Sequence, residues 1–191
     1  MSTDSLARSF ASTRKVLAGI DPSRLDDPTP CRLWTVRQLV NHTVTAPRAG
    51  VGVLRTGDWH VAEEDFASGD FRAAYDATAA DAIDAFSDPA AAAKILTLPF
   101  AEVPGAFLMQ MITTDQFAHG WDLAKATGQS TDLDPALAEE LLEHAAIPDQ
   151  FRGEEGKAPF GPRREAPEGA TAADRLAAFL GREVRPAGLS G

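Results

Sequence analysis

The 191-residue chain is 44% apolar and 24% charged, close to the globular average, which excludes wholesale disorder and fibrous repeats. Its length suits one domain with a sizeable core. Eighteen basic against 28 acidic residues give a formal net charge of −10, which opposes nucleic acids and anionic membranes as partners.

Asp4 opens a helical pattern through Leu6, Phe10, Val16, Leu17 and Ile20, closed by Gly19 and Asp21-Pro22. Residues 21–33, rich in Pro and Asp, read as a loop. Trp34-Thr35 marks a second helix entry, with Thr35 as N-cap and Val36, Leu39, Val40, Thr43 and Val44 forming an apolar face. Pro47 is expected to kink that helix or move its end back. An irregular connection over 56–69 leads to a third helix over 70–86. Residues 87–104 hold three prolines and a short β-like run, Lys94 to Leu98. Gly105 to Thr127 is the longest uninterrupted helical pattern, stopped by Gly128. A helix over 135–146 starts with Pro135 in its first turn. Residues 148–169 read as an extended segment, and Ala172 to Leu180 as a last short helix ended by Gly181.

The expectation is an all-α four-helix bundle: residues 1–147 form the helical bundle, and 148–191 an extended tail whose short helix packs on it. The N-terminal MSTDSLARSF lacks the apolar region of a signal peptide. No stretch approaches the roughly 18 apolar residues of a membrane span. A cytoplasmic protein is expected.

A single cysteine, Cys31, excludes an intrachain disulfide and a cysteine-based zinc cluster. Any metal site must therefore draw on carboxylates and the four histidines, His42, His60, His119 and His144. At about 100° per residue, Asp115, His119 and Asp122 fall within roughly 60° of one another, on the stripe shared by Leu108, Met111 and Ile112. A buried carboxylate needs a cation or a hydrogen-bond network. Asp115 and His119, one turn apart, either hold a metal or form a hydrogen-bonded core pair. His42 lies about 60° from Leu39, at the edge of its apolar face. It is either a third ligand or a half-buried histidine bonded to a carbonyl. Two histidines and one carboxylate with open positions are typical of catalytic Zn²⁺ or Fe²⁺. Asp122 either orients His42 or a bound water, or pairs with Lys125. Cys31 is either structural or a reactive thiol. Trp34 and Trp121 flank the two histidine segments and are expected to pack nearby. No phosphate loop, Ser-His-Asp ordering or H-E-x-x-H motif is present.

Three segments carry a family resemblance. P-C-R-L-W-T-V-R-Q-L-V-N-H at 30–42 and T-T-D-Q-F-A-H-G-W-D-L-A-K-A-T-G-Q at 113–129 resemble the two metal-binding segments of the DinB / mycothiol-dependent maleylpyruvate isomerase superfamily. F-G-P at 160–162 and D-R-L-A-A-F-L-G-R at 174–182 resemble the tail of its small actinobacterial-type members. The resemblance implies an up-down-down-up bundle with one divalent metal, zinc or nickel, held by His42, Asp115 and His119. It also implies a low-molecular-weight thiol such as mycothiol as cosubstrate for isomerisation or S-transfer on a small electrophile. The alternative is a non-catalytic metal- or small-ligand-binding protein of the same fold. Asp115 departs from the characterised isomerase, which uses Glu. That enzyme also has a C-terminal domain contributing to activity, whereas little sequence follows residue 182 here. Maleylpyruvate isomerisation itself is therefore not expected. A homodimer through bundle faces is compatible with the pattern.

Overall fold

The computed structural model describes residues 1–145, 147, 149–154, 158 and 160–184. Four long helices build the core: α1 (Thr3–Ala18), α2 (Val36–Thr56), α3 (Phe71–Ser87) and α4 (Gly105–Thr127). Two short helices follow, α5 (Pro135–His144) and α6 (Ala172–Phe179). An antiparallel hairpin, β1 (Ile95–Leu98) with β2 (Ala101–Pro104), joins α3 to α4. The mostly α-helical class therefore agrees with the apolar periodicity.

Local chemistry explains where the helices begin and end. Ser2 caps α1 and Thr35 caps α2, each in a reciprocal capping box that satisfies free amides of the first turn. Asp70 accepts from Ala73 N at the start of α3, and Asp134 accepts from Leu137 N ahead of Pro135. At the far end of α4, Gly128 turns the chain with φ +72°, a left-handed conformation that suits glycine. Pro47 neither ends nor shortens α2. The helix runs nine residues further, to Thr56, although the ring lacks the N–H that would bond the Thr43 carbonyl.

Side-chain pairings give the helix directions. Ser9 Oγ donates to the Thr113 carbonyl at 2.8 Å and Thr13 Oγ1 to that of Gln116 at 2.7 Å, so α1 and α4 run parallel. Arg48 reaches Thr78, and Arg55 reaches Asp81, so α2 and α3 are also parallel. Phe10 meets Tyr75 while Arg72 reaches back to the Leu17 and Ile20 carbonyls, which sets α3 antiparallel to α1. The bundle is thus up-down-down-up. Leu6, Phe10, Leu39, Tyr75, Leu108 and Phe117 lie at its centre, each at most 1% exposed.

Two connections lie against this frame. Residues 21–35 fold over the C-terminal end of α4, where Arg24 donates to the Ala126 and Thr127 carbonyls. A cation there complements the negative end of the helix. Trp121 on α4 donates from Nε1 to Asp174 on α6 at 2.8 Å, which seats α6 against the bundle. β2 was not foreseen by the apolar pattern. The expected segment 148–191 falls partly outside the described residues, as does the last residue of the helix expected over 135–146.

At Gly120, an added Cβ would lie 2.4 Å from Thr13 Oγ1 and 3.3 Å from Thr13 Cα, where α1 and α4 touch. Thr13 cannot easily give way, because its hydroxyl is bonded to Gln116. Gly120→Val is expected to lower stability by about 1–3 kcal/mol in urea unfolding, more than Gly57→Asn, which meets no neighbour and bears only the strain of a left-handed cap that Asn tolerates.

Candidate functional site

Antiparallel packing of α2 on α4 brings His42 against Asp115. His42 Nε2 lies 3.2 Å from each Asp115 carboxylate oxygen. One turn further along α4, His119 Nε2 lies 3.3 Å from Asp115 Oδ1. One carboxylate oxygen therefore faces two imidazole nitrogens from different helices. The Trp34 ring closes one side, with its centroid 4.5 Å from that of His42 and 5.6 Å from that of His119.

Exposure is uneven across the three residues. The side chains of His42 and Asp115 are 25% and 32% exposed, and that of His119 only 10%. The site thus opens beside His42, into a cleft of about 230 Å³ bordered by Trp34, Gln38, Thr45, Ala62, Glu63 and Glu64. A larger cavity of about 480 Å³, lined by Arg152, Arg163 and Phe179 among others, contains none of these candidate residues.

Behind His119 the chemistry is closed off. His119 Nδ1 lies 3.0 Å from Asp122 Oδ2, and Asp122 is fully buried. Arg182, just past α6, donates to both Asp122 oxygens, from Nε at 3.2 Å and from Nη2 at 2.8 Å. The Cys31 thiol donates to Asp122 Oδ2 at 3.3 Å, and its sulfur accepts from Arg182 Nη2 at 3.5 Å. Asp122 thus contacts His119, and not His42 or Lys125, the two protein partners weighed for it from the sequence. Its side chain faces the opposite edge of the His119 ring, and its cation comes from the C-terminal segment.

These contacts set the ionisation of the group. Burial pushes the Asp115 carboxyl up, but the His42 and His119 imidazoles more than reverse this and hold it far below the usual carboxylate range. Burial likewise raises Asp122, and Arg182 with His119 overrides it downward. Burial disfavours charge on His119, yet Asp115 and Asp122 on either side hold its pKa well above that of an ordinary histidine.

The expected residues divide accordingly. His42, Asp115 and His119 come together, with one donor atom from each within 4.8 Å of the others. Cys31, His119 and Asp122 form a second group of that kind, but the Arg182 guanidinium already supplies the cation there. Trp121 faces α6 and not the site. Asn41 ties down the 65–67 turn, donating to Asp65 and accepting from Ala67 N. His60 and His144 are exposed, and the His144 ring lies against the Glu140 carbonyl. Arg182 was missed by sequence reasoning. Its only sequence signal was its place at the end of the tail segment quoted above.

A family model described as the mycothiol maleylpyruvate isomerase N-terminal domain matches residues 6–124. The chain belongs to this DinB-like family. The matched span holds Cys31, His42, Asp115, His119 and Asp122, and stops well short of Arg182. Two Mycobacterium tuberculosis proteins, described as "Uncharacterized protein MT0763" (strain CDC 1551 / Oshkosh) and "Uncharacterized protein Rv0738" (strain ATCC 25618 / H37Rv), are each 42% identical to it over 174 residues. That covers 89% of this chain and 91% of theirs. No solved structure matches the chain. No helix among the described residues is long and apolar enough to cross a membrane.

The folded pKa of Asp122 lies below its unfolded value of about 3.9, so as pH falls the unfolded chain takes up this proton first. The stabilisation from Asp122 is present above about pH 4 and is lost in stronger acid. Urea unfolding of metal-free protein is expected to show that acid loss, and Asp122→Asn is expected to make it shallower.

Proposed function

We propose that the chain is a divalent-metal-dependent enzyme that works with a low-molecular-weight thiol of the mycothiol kind, in S-transfer or isomerisation of a small electrophile. One observation carries the reading: Asp115 Oδ1 lies 3.2 Å from the Nε2 of His42 and 3.3 Å from that of His119. Neighbouring ligands around a tetrahedral zinc, with bonds of about 2.0–2.1 Å, stand roughly 3.3 Å apart. The donor set fits zinc or nickel, both of which imidazole and carboxylate suit. His42, Asp115 and His119 would hold the ion. Once bound, it supplies the positive charge that favours the thiolate form of a coordinated thiol at neutral pH.

The chain's own residues supply the surroundings. Asp115 cancels part of the ion's charge. Trp34 lies against both imidazoles, fixing their planes and keeping water off that face. Substrates enter through the cleft that His42 lines, beside the amide of Gln38 and the hydroxyl of Thr45. Membership of the mycothiol family supports the choice of thiol.

Protein purified without a His-tag tests the reading. Elemental analysis is expected to give about one zinc or nickel per chain, falling below about 0.2 in folded His119→Ala. Conjugation of mycothiol to monochlorobimane is expected to need the loaded protein and to stop on chelation. Wild-type protein that stays below about 0.2 metal per chain after addition of Zn²⁺ or Ni²⁺ would overturn it.

A further inference from the structure

His119 is the ligand candidate with both ring nitrogens committed. Nε2 faces Asp115 Oδ1 at 3.3 Å, and Nδ1 faces Asp122 Oδ2 at 3.0 Å. Which nitrogen carries the proton decides whether the other can bind a cation. Asp122 fixes the Nδ1 side, because an ionised carboxylate only accepts, so the nitrogen facing it must be N–H. A neutral ring then has its lone pair on Nε2, aimed at another carboxylate oxygen. Without a metal, a proton on Nε2 relieves that contact, and a bound cation would take the proton's place.

Asp122 in turn is held by one side chain. The Arg182 fork takes both of its oxygens, which fixes the carboxylate plane as well as its charge. Arg182 is 12% exposed, and its backbone N–H is bonded to the Ala177 carbonyl at 2.9 Å. The preceding residue, Gly181, has φ +98° and packs on Gly161. The segment is therefore built to deliver one guanidinium to one buried carboxylate.

We propose that Arg182 is a positioning residue for the site: by clamping Asp122 it holds His119 with Nδ1–H turned towards that buried carboxylate and Nε2 turned towards Asp115 and His42. The metal-binding half of this statement rests on the function proposed above. The ring-orientation half stands on the protein alone. The C-terminal segment, outside the span matched by the family model, thereby completes a site whose ligand candidates all lie within it.

The test uses the full chain and Zn²⁺ as probe, with the dissociation constant read by chelator competition. Arg182→Met is expected to weaken zinc binding roughly 10- to 100-fold, as loss of a partner behind a ligand does. Because that variant leaves a buried unpaired carboxylate, Asp122→Leu/Arg182→Met is measured beside it. Replacing both partners by apolar residues is expected to restore thermal stability and leave zinc binding weak. A purely structural ion pair would regain both, so wild-type affinity in the double variant would overturn the proposal. A readout in metal-free protein separates this from failure of the metal reading. Long-range ¹H–¹⁵N spectra are expected to show a solvent-protected His119 Nδ1–H that disappears in Arg182→Met. Its absence in wild type, or its persistence in the variant, would overturn the proposal whether or not zinc binds.

Discussion

A helix that turns two carboxylates and an imidazole towards the interior can fold only if other parts of the chain bring partners to them. In α4 those residues are Asp115, His119 and Asp122, spread over two turns of its inward stripe. Leaving the fully buried Asp122 unpaired would cost several kcal/mol, comparable with a large part of the stability of a domain this size, and the partly exposed Asp115 would bear a smaller share of that cost. The bundle meets the demand from two sides. α2, running antiparallel, presents His42 to Asp115, and the segment after α6 presents Arg182 to Asp122. The up-down-down-up order, the docking of residues 21–35 over the end of α4 and the seating of α6 through Trp121 all serve this convergence.

The two carboxylates end in different environments. Asp115 is partly exposed, next to His42, which lines the open cleft. Asp122 has no exposure and is saturated by His119, Arg182 and Cys31. His119 contacts both, and so links a buried ion pair to a partly exposed one.

How much of this was legible in the sequence follows from the kind of signal each residue leaves. Asp115, His119 and Asp122 could be placed together because helical periodicity fixes relative direction within one element. His42 was read from its place beside an apolar face, and the packing of α2 on α4 did the rest. Asp122's partner could not be read, since periodicity says which stripe a residue shares and nothing about what lies across it. Arg182 follows a left-handed glycine, and Cys31 lies in a loop held by Thr29 and by the Pro28–Thr35 bridge. Neither position has a repeating pattern to betray its direction. β2 escaped notice because its four residues include a charge and a proline. The same limits explain Pro47, whose effect on α2 depends on neighbours that its own segment does not contain.

The Gly161–Gly181 crossing gives the C-terminal segment an unusual tolerance profile. At Gly181 a Cβ would lie 2.6–2.9 Å from the backbone of Gly161, and the local φ is already left-handed. A single methyl there would prise apart two strands of chain and swing the next residue, Arg182, off its carboxylate. Arg164 is tied to the same neck, donating from its backbone N–H to the Ala178 carbonyl and from Nε to that of Gly181, whereas Glu165 and Glu168 stand exposed beyond it. A change at exposed Glu165 or Glu168 therefore leaves the site untouched, and one carbon atom at Gly181 does not.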